Sequence, residues 1–280
     1  MIKVYVSSAF CKDNIGGNKA GVVLYEEELS DNQKKLIAKN LGYAETAFIT
    51  KSEKADFKIR YYTPAEEVPL CGHATIASFG TLNYLGMLDK ENYLIETKSG
   101  ILAIYLKNDE IFMEQNIPTF YEEVDYDEIK NCFDIECINK NYPIQIVSTG
   151  LKDILVPIKN ETVLNELKPN FKNIKEISKK YDVVGTHLYT FDNDRIICRN
   201  FAPLYDVDEE SATGTSNCAL AGLLFSLLNI KKDYYTFEQG YSLNSPSIIK
   251  VKILSENNKT IEKIYVGGKS RFVETREIEI

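Results

Sequence analysis

The chain has 280 residues, of which 44% are hydrophobic and 26% charged, with a formal net charge of −8. That balance is that of a folded globular chain rather than a disordered one. No apolar run approaches the roughly 20 residues of a membrane span, and no basic stripe offers a surface to nucleic acid.

In chain order, MIKVYVSSAF reads as a strand, and no leader is expected. Residues 11–19, CKDNIGGNK, form a turn-rich loop, and residues 20–25 a second strand. Ser30 is a good N-cap for a helix over 31–41, which Gly42 closes. Two strand-like tracts follow, AETAFIT at 44–50 and ADFKIRYY at 55–62. Residues 69–86, PLCGHATIASFGTLNYLG, are apolar or small on every side, so a buried helix is expected there. Three short strands are expected between residues 93 and 116.

The second half repeats this order. GLKDILVP from Gly150 echoes GNKAGVVL from Gly17, and VGTHLYTF from Val184 matches YAETAFIT from Tyr43. Arg199-x-Phe201-x-Pro203 echoes Arg60-x-Tyr62-x-Pro64. The run from Thr213-Gly214-Thr215 aligns with the run from Cys71-Gly72-His73, so that Gly214 meets Gly72, Ala219 meets Ala77 and Gly222 meets Gly80. The expectation is an α+β chain of two pseudo-symmetric domains, each a curved β-sheet wrapped around a central buried helix. Their expected extents are 1–117 with about 269–280, and 118–268. The central helices are expected at 72–86 and 214–228, with an active-site cleft between the halves. The small residues Ala77, Gly80, Ala219 and Gly222 would let strands approach those helices closely.

Chemistry-bearing residues gather at the helix starts, where unpaired N–H groups favour anions. Glu45 lies among small and apolar neighbours, so it is either an outward strand residue or a partly desolvated general acid/base. His73 could bond the backbone, hold a substrate anion or shuttle a proton. Asp208, Glu209 and Glu210 precede the second buried helix, where acids complement the helix dipole; one of them could instead face a substrate. Thr213, Gly214 and Thr215 offer amides and hydroxyls, for ordinary capping or for an anion. Cys71 could serve a two-base racemase, but its matching position is Thr213, so a small lining residue is the better reading. With two histidines and six cysteines, none of them in a C-x2-C pair, no metal site is expected. No glycine-rich phosphate motif is present, so no cofactor is expected. Reduced thiols fit a cytoplasmic protein.

GGNKAGVVL, AETAF, PAEEVPLCGHATIAS and NFAPLYDVDEESATGTSNCALAGLL, taken in that order, resemble the PhzF family of phenazine-biosynthesis-like isomerases over nearly the whole chain. The resemblance implies the diaminopimelate-epimerase-like fold. It also implies a cofactor-free isomerase, usually a homodimer, acting on a small carboxylate-bearing, possibly cyclic unsaturated substrate. The family's catalytic glutamate falls on Glu45, its histidine on His73, its asparagine on Asn18 and its anion-binding turn on Thr213, Gly214 and Thr215. Gly72 and Cys71 would line the same site. Where the family often has aspartate then proline, this chain has Glu210 and Ser211, so the resemblance implies that Glu210 is the acid of the three that faces Glu45 and, with His73, orients the substrate or relays the proton, its carboxylate carried about 1.5 Å further by one C–C bond length. An amino-acid epimerase using Cys71 and a non-catalytic small-molecule-binding protein are the alternatives carried.

Overall fold

The computed structural model describes residues 1–25, 29–133 and 135–280. Its chain divides into two compact units, one of residues 1–114 with 267–280 and one of residues 115–266. Among the described residues no helix is long and apolar enough to cross a membrane.

The first unit is built from β1 (Ile2–Ala9), β2 (Asn18–Leu24), α1 (Asp31–Leu41), β3 (Thr46–Thr50), β4 (Phe57–Tyr62), β5 (Glu67–Val68), α2 (Gly72–Tyr84), β6 (Asn92–Thr97), β7 (Gly100–Lys107) and β8 (Glu110–Gln115). The second opens with β9 (Thr119–Glu123), α3 (Tyr126–Ile129), β10 (Gln145–Ser148), β11 (Lys152–Pro157), α4 (Glu161–Glu166) and α5 (Phe171–Tyr181). It continues through β12 (Gly185–Asp192), β13 (Arg195–Ala202), β14 (Val207–Glu210), α6 (Gly214–Ser226), β15 (Tyr234–Gln239) and β16 (Ser247–Glu256). The last strand, β17 (Thr260–Ile278), contributes to the first unit from Gly267 onward and pairs there with β1.

Local signals account for α1. Ser30 accepts from the Gln33 amide while the Gln33 side chain accepts from Ser30, a complete capping box, which satisfies two amides that the helix leaves unpaired. Gly42 closes the helix at φ 73°. Lys34, Ile37, Ala38 and Leu41 form its buried stripe. Gly17 is required where it stands: its φ is +82°, and a Cβ there would lie 2.4 Å from the Ala9 carbonyl oxygen.

The duplication inferred from sequence is present strand by strand. In the first unit β1–β2 is antiparallel, β2–β3 parallel, β3–β4 and β4–β5 antiparallel, β4–β6 parallel and β6–β7 antiparallel. In the second unit β10–β11, β11–β12, β12–β13, β13–β14, β13–β15 and β15–β16 repeat the same sequence of senses. Each parallel step is bridged by a helix or helices, as a parallel connection requires: α1 and then α2 in the first unit, α4 with α5 and then α6 in the second.

Each sheet packs around its own helix, α2 or α6, and both helices are buried on nearly every side. The hydroxyls of α2 survive burial because they return to the backbone. Thr75 Oγ1 donates to Cys71 O at 2.7 Å, Ser78 Oγ to Ala74 O at 2.7 Å and Thr81 Oγ1 to Ala77 O at 3.1 Å. Such i−4 bonds remove the cost of an unpaired buried hydroxyl. The expected small-residue contacts are present. A Cβ on Gly80 would lie 2.5 Å from Ser270 Cβ in β17, and one on Gly222 would lie 2.5 Å from Pro118 Cγ. Pro118 belongs to the connector before β9, so α6 is approached at Gly222 by a loop rather than by a strand.

Gly222→Ala therefore meets a rigid ring. Overpacking costs about 1–3 kcal/mol, against roughly 1 kcal/mol gained by replacing a helical glycine. Denaturant unfolding is expected to show a net loss of up to about 2 kcal/mol; a raised midpoint would show that Pro118 does not press on the helix.

Candidate active site

The head of α2 gathers three side chains that the sequence keeps apart. Cys71 is the N-cap of α2, at φ −141° and ψ 116°, and its side chain makes no capping bond. His73 is the second residue of the helix. Cys71 Sγ lies 3.4 Å from His73 Nδ1 and 4.0 Å from Nε2. His73 Nε2 lies 3.4 Å from Glu45 Oε2. The donor atoms of Glu45, Cys71 and His73 all fall within 4.8 Å of one another.

Glu45 was expected within a strand over 44–50. It lies just outside: the ladder begins at Thr46, which pairs with both Gly21 and Tyr62. The difference matters, because a residue at a strand entry is not bound to the alternation of the sheet faces. The Glu45 side chain is only 20% exposed, and its Oε2 is buried with no hydrogen-bond partner. Among the described residues no lysine or arginine pairs with it. Burial therefore raises its pKa above the ordinary glutamate value, and the nearby Cys71 thiol works the other way.

The backbone beneath this cluster is fixed from below. Thr75 Oγ1 donates to Cys71 O, and the buried Tyr61 hydroxyl, 2.6 Å away, donates to Thr75 Oγ1. Arg60, the neighbour of Tyr61, holds Glu67 through two bonds of 2.8 and 2.9 Å. That ion pair keeps Glu67 below the ordinary carboxylate range, the opposite of Glu45. Asn18 is the first residue of β2, opposite Ala9. Gly72 opens α2, and a Cβ there would meet nothing nearer than Met113 Cε at 3.7 Å. Packing in this unit therefore does not demand a glycine at that position.

The head of α6 carries the second set of expected residues, and here polar side chains are tied together. Thr213 is the N-cap and makes no capping bond through its side chain. Its Oγ1 donates instead to Glu210 Oε2 at 2.6 Å. Gln239 accepts from the Thr213 amide and donates to Glu210 O and Thr213 Oγ1. Asn217 Nδ2 donates to Thr213 O at 2.8 Å, the counterpart of Thr75 on Cys71. Gly214 is buried, and the Thr215 carbonyl accepts from Thr149 Oγ1 at 3.0 Å. The acids before the helix lie in or beside β14 rather than on the helix itself. Glu209 is held by Arg199 at 2.8 and 2.9 Å, repeating the Arg60–Glu67 pair, so of the acidic run only Glu210 turns to the helix start. The structure thus brings Glu45, Cys71 and His73 together in the first unit, and Glu210 and Thr213 together in the second.

One buried network escaped the sequence reading. Ser216 Oγ donates to Asp153 Oδ2 at 2.6 Å and accepts from Asn200 Nδ2 at 3.2 Å. Asn200 Nδ2 lies 3.3 Å from His187 Nδ1. The signal was an acid at the start of an otherwise apolar strand, GLKDILVP. Burial pushes the Asp153 carboxyl up to about 7, with the Ser216 bond opposing and the Glu210 charge reinforcing. Burial likewise holds His187 neutral, its pKa pushed down to about 3.

Asp153 makes stability depend on pH. An unfolded aspartate has a pKa near 4, so between about 4 and 7 the folded chain keeps a proton that the unfolded chain has lost. Stability from this group is then lost as pH rises through that window. Asp153→Asn is expected to gain on the wild type, by up to about 4 kcal/mol, between about pH 4 and pH 8, since each pKa unit is worth about 1.4 kcal/mol. Urea unfolding of both proteins at the two pH values measures the gain. A difference that does not change with pH would contradict it.

Comparison with known proteins agrees with this architecture. A family model described as "Phenazine biosynthesis-like protein" matches residues 7–276. An uncharacterized isomerase of Bacillus subtilis is 30% identical, the alignment covering 97% of each chain. Another, from Clostridium acetobutylicum, is 31% identical over 98% of this chain and 97% of its own. A crystal structure of a Bacillus anthracis phenazine biosynthesis protein, described as of the PhzF family, superposes with a TM-score of 0.90 at 27% identity, over 100% of this chain and 99% of that one.

Proposed function

This chain belongs to the phenazine biosynthesis-like (PhzF) family, and we propose that it is an isomerase that moves a proton within a small carboxylate-bearing substrate by general acid/base catalysis. One observation carries the reading above the others. Glu45 is a largely buried carboxylate that, among the described residues, no lysine or arginine answers, its Oε2 3.4 Å from a histidine at the head of a buried helix. Its raised pKa brings proton uptake and release nearer to neutral pH, as an acid/base catalyst needs. The Glu45 carboxylate takes a proton from one carbon of the substrate, the double-bond electrons shift, and the carboxylic acid, whose proton exchanges with water, delivers one proton at another carbon. Substrate and product have the same composition, so the step needs no other reactant.

His73 is the residue to orient the substrate or relay the proton, since its ring nitrogens lie 3.4 Å from Glu45 Oε2 and 3.4 Å from Cys71 Sγ. Asn18 and Gly72 in the first unit, and Thr213, Gly214 and Thr215 in the second, are assigned to holding substrate, with Glu210 as a further acid. Support comes from the two helix starts. Neither is capped by the side chain of its own N-cap residue, and helix starts attract anions. A two-thiol epimerase is disfavoured, because the counterpart of Cys71 is Thr213, whose hydroxyl is engaged with Glu210.

Proton movement can be followed without knowing the pathway. Small aromatic and aliphatic carboxylates are incubated in heavy water, and deuterium entry is read by mass spectrometry. Glu45→Gln keeps the side-chain shape and is expected to lower the catalysed exchange rate by about 10²–10⁴, the range for general acid/base groups. A Glu45→Gln protein exchanging at the wild-type rate would overturn the assignment.

A further inference from the structure

We infer that Glu45, His73 and Cys71 form a binding site for a thiophilic divalent cation of the Zn2+ kind, and that occupancy of this site reversibly silences the enzyme. The set supplies one oxygen, one nitrogen and one sulfur, the mixture that suits Zn2+ rather than Mg2+ or Ca2+.

The spacing supports the inference. Zinc bonds of about 2.3 Å to sulfur and about 2.0–2.2 Å to nitrogen and oxygen place tetrahedral donors about 3.3–3.6 Å apart. Glu45 Oε2 and His73 Nε2 are 3.4 Å apart, and His73 Nε2 and Cys71 Sγ are 4.0 Å apart. Cys71 Sγ has to close that second gap by about half an ångström and approach Glu45, whose donor lies within 4.8 Å, to complete a three-ligand face, a movement that rotation of the Cys71 side chain provides.

The electrostatics point the same way. Glu45 Oε2 is a buried acceptor with no hydrogen-bond partner, an unfavourable state for a carboxylate. Glu67 and Glu209 are each answered by a guanidinium, of Arg60 and Arg199, and among the described residues no arginine or lysine answers Glu45. A cation would answer that carboxylate, and with a deprotonated Cys71 the ligand set would carry two negative charges to match it.

Inhibition follows if Glu45 is the base, because a carboxylate bound to metal cannot take up a proton. That half rests on the proposed function; binding itself rests on the donor set alone. The test keeps them separate. The whole protein is stripped with EDTA and titrated first with Co2+, whose thiolate charge-transfer band reports sulfur ligation, and then with Zn2+ in competition. One ion per chain is expected, with a charge-transfer band that Cys71→Ser abolishes. Affinity should fall by at least about 100-fold in both Cys71→Ser and His73→Gln, since even outer-shell partners of metal ligands are worth about 10–100-fold. Serine is a favoured N-cap, so Cys71→Ser is expected to fold, which circular dichroism checks. Absence of the band, or Zn2+ affinity unchanged in both variants, overturns the site. Zn2+ bound through Cys71 and His73, with the catalysed deuterium exchange undiminished, overturns the inhibition, while the exchange rate of Glu45→Gln without metal decides separately whether Glu45 is the base.

Discussion

Two helices that are apolar on every side set the terms for the rest of this protein. Such a helix cannot lie on a surface; each must be enclosed by its own sheet, and the two units answer that demand with the same succession of parallel and antiparallel ladders. Burial of that kind is unforgiving of polar atoms. In α2 the hydroxyls of Thr75, Ser78 and Thr81 are absorbed by carbonyls one turn back. In α6, Asn217 performs the same service for Thr213. Burial also carries the start of each helix, with its outward-pointing amides, into the protein rather than into solvent.

Against that background the glutamates sort themselves by partner. Glu67 and Glu209 are each gripped by an arginine two strand positions from the same aromatic-x-proline turn, and they serve the fold. Glu45 has no such partner and sits in a desolvating pocket made by the strand entry and the helix head. Local rules of stability are broken there, and a broken rule maintained by its surroundings marks a working group more often than a structural one. Asp153 breaks the same rule more deeply, but it is satisfied on one oxygen by Ser216 and lies beneath the α6 start among buried partners, which fits a support of that helix head rather than a group that meets substrate.

Much of this was legible in the residues. The limits of α1 follow from Ser30, Gln33 and Gly42, whose bonds are local. The two central helices follow from their uniform apolarity, and the internal echo from motifs such as Arg60-x-Tyr62-x-Pro64, whose conserved meaning is an arginine on β4 or β13 holding an acid across the next short strand. The start of β3 was not legible. AETAF alternates smoothly through Glu45, and only the pairing of Thr46 with Gly21 and Tyr62 shows that the ladder begins two residues later than the pattern suggests. Nor could the sequence show that Cys71, read as a mere lining residue, touches His73, or that both face Glu45. That meeting depends on how α2 seats against β1, β2 and β3, a tertiary fact with no local trace. The link from Asp153 to Ser216 spans a still longer stretch of chain and was hidden for the same reason.

The account turns on one property, a Glu45 carboxyl held in its protonated form more readily than an ordinary glutamate because burial, unrelieved by a cation, penalises its charge. Carbon-detected NMR of protein labelled at the glutamate Cδ, with Glu45 assigned by its missing signal in Glu45→Gln, measures that property directly. The expected result is a Glu45 resonance that titrates clearly above the range of the exposed glutamates and remains the outlier in the absence of divalent cations. A Glu45 that titrates with the exposed glutamates, or below them, would contradict the account.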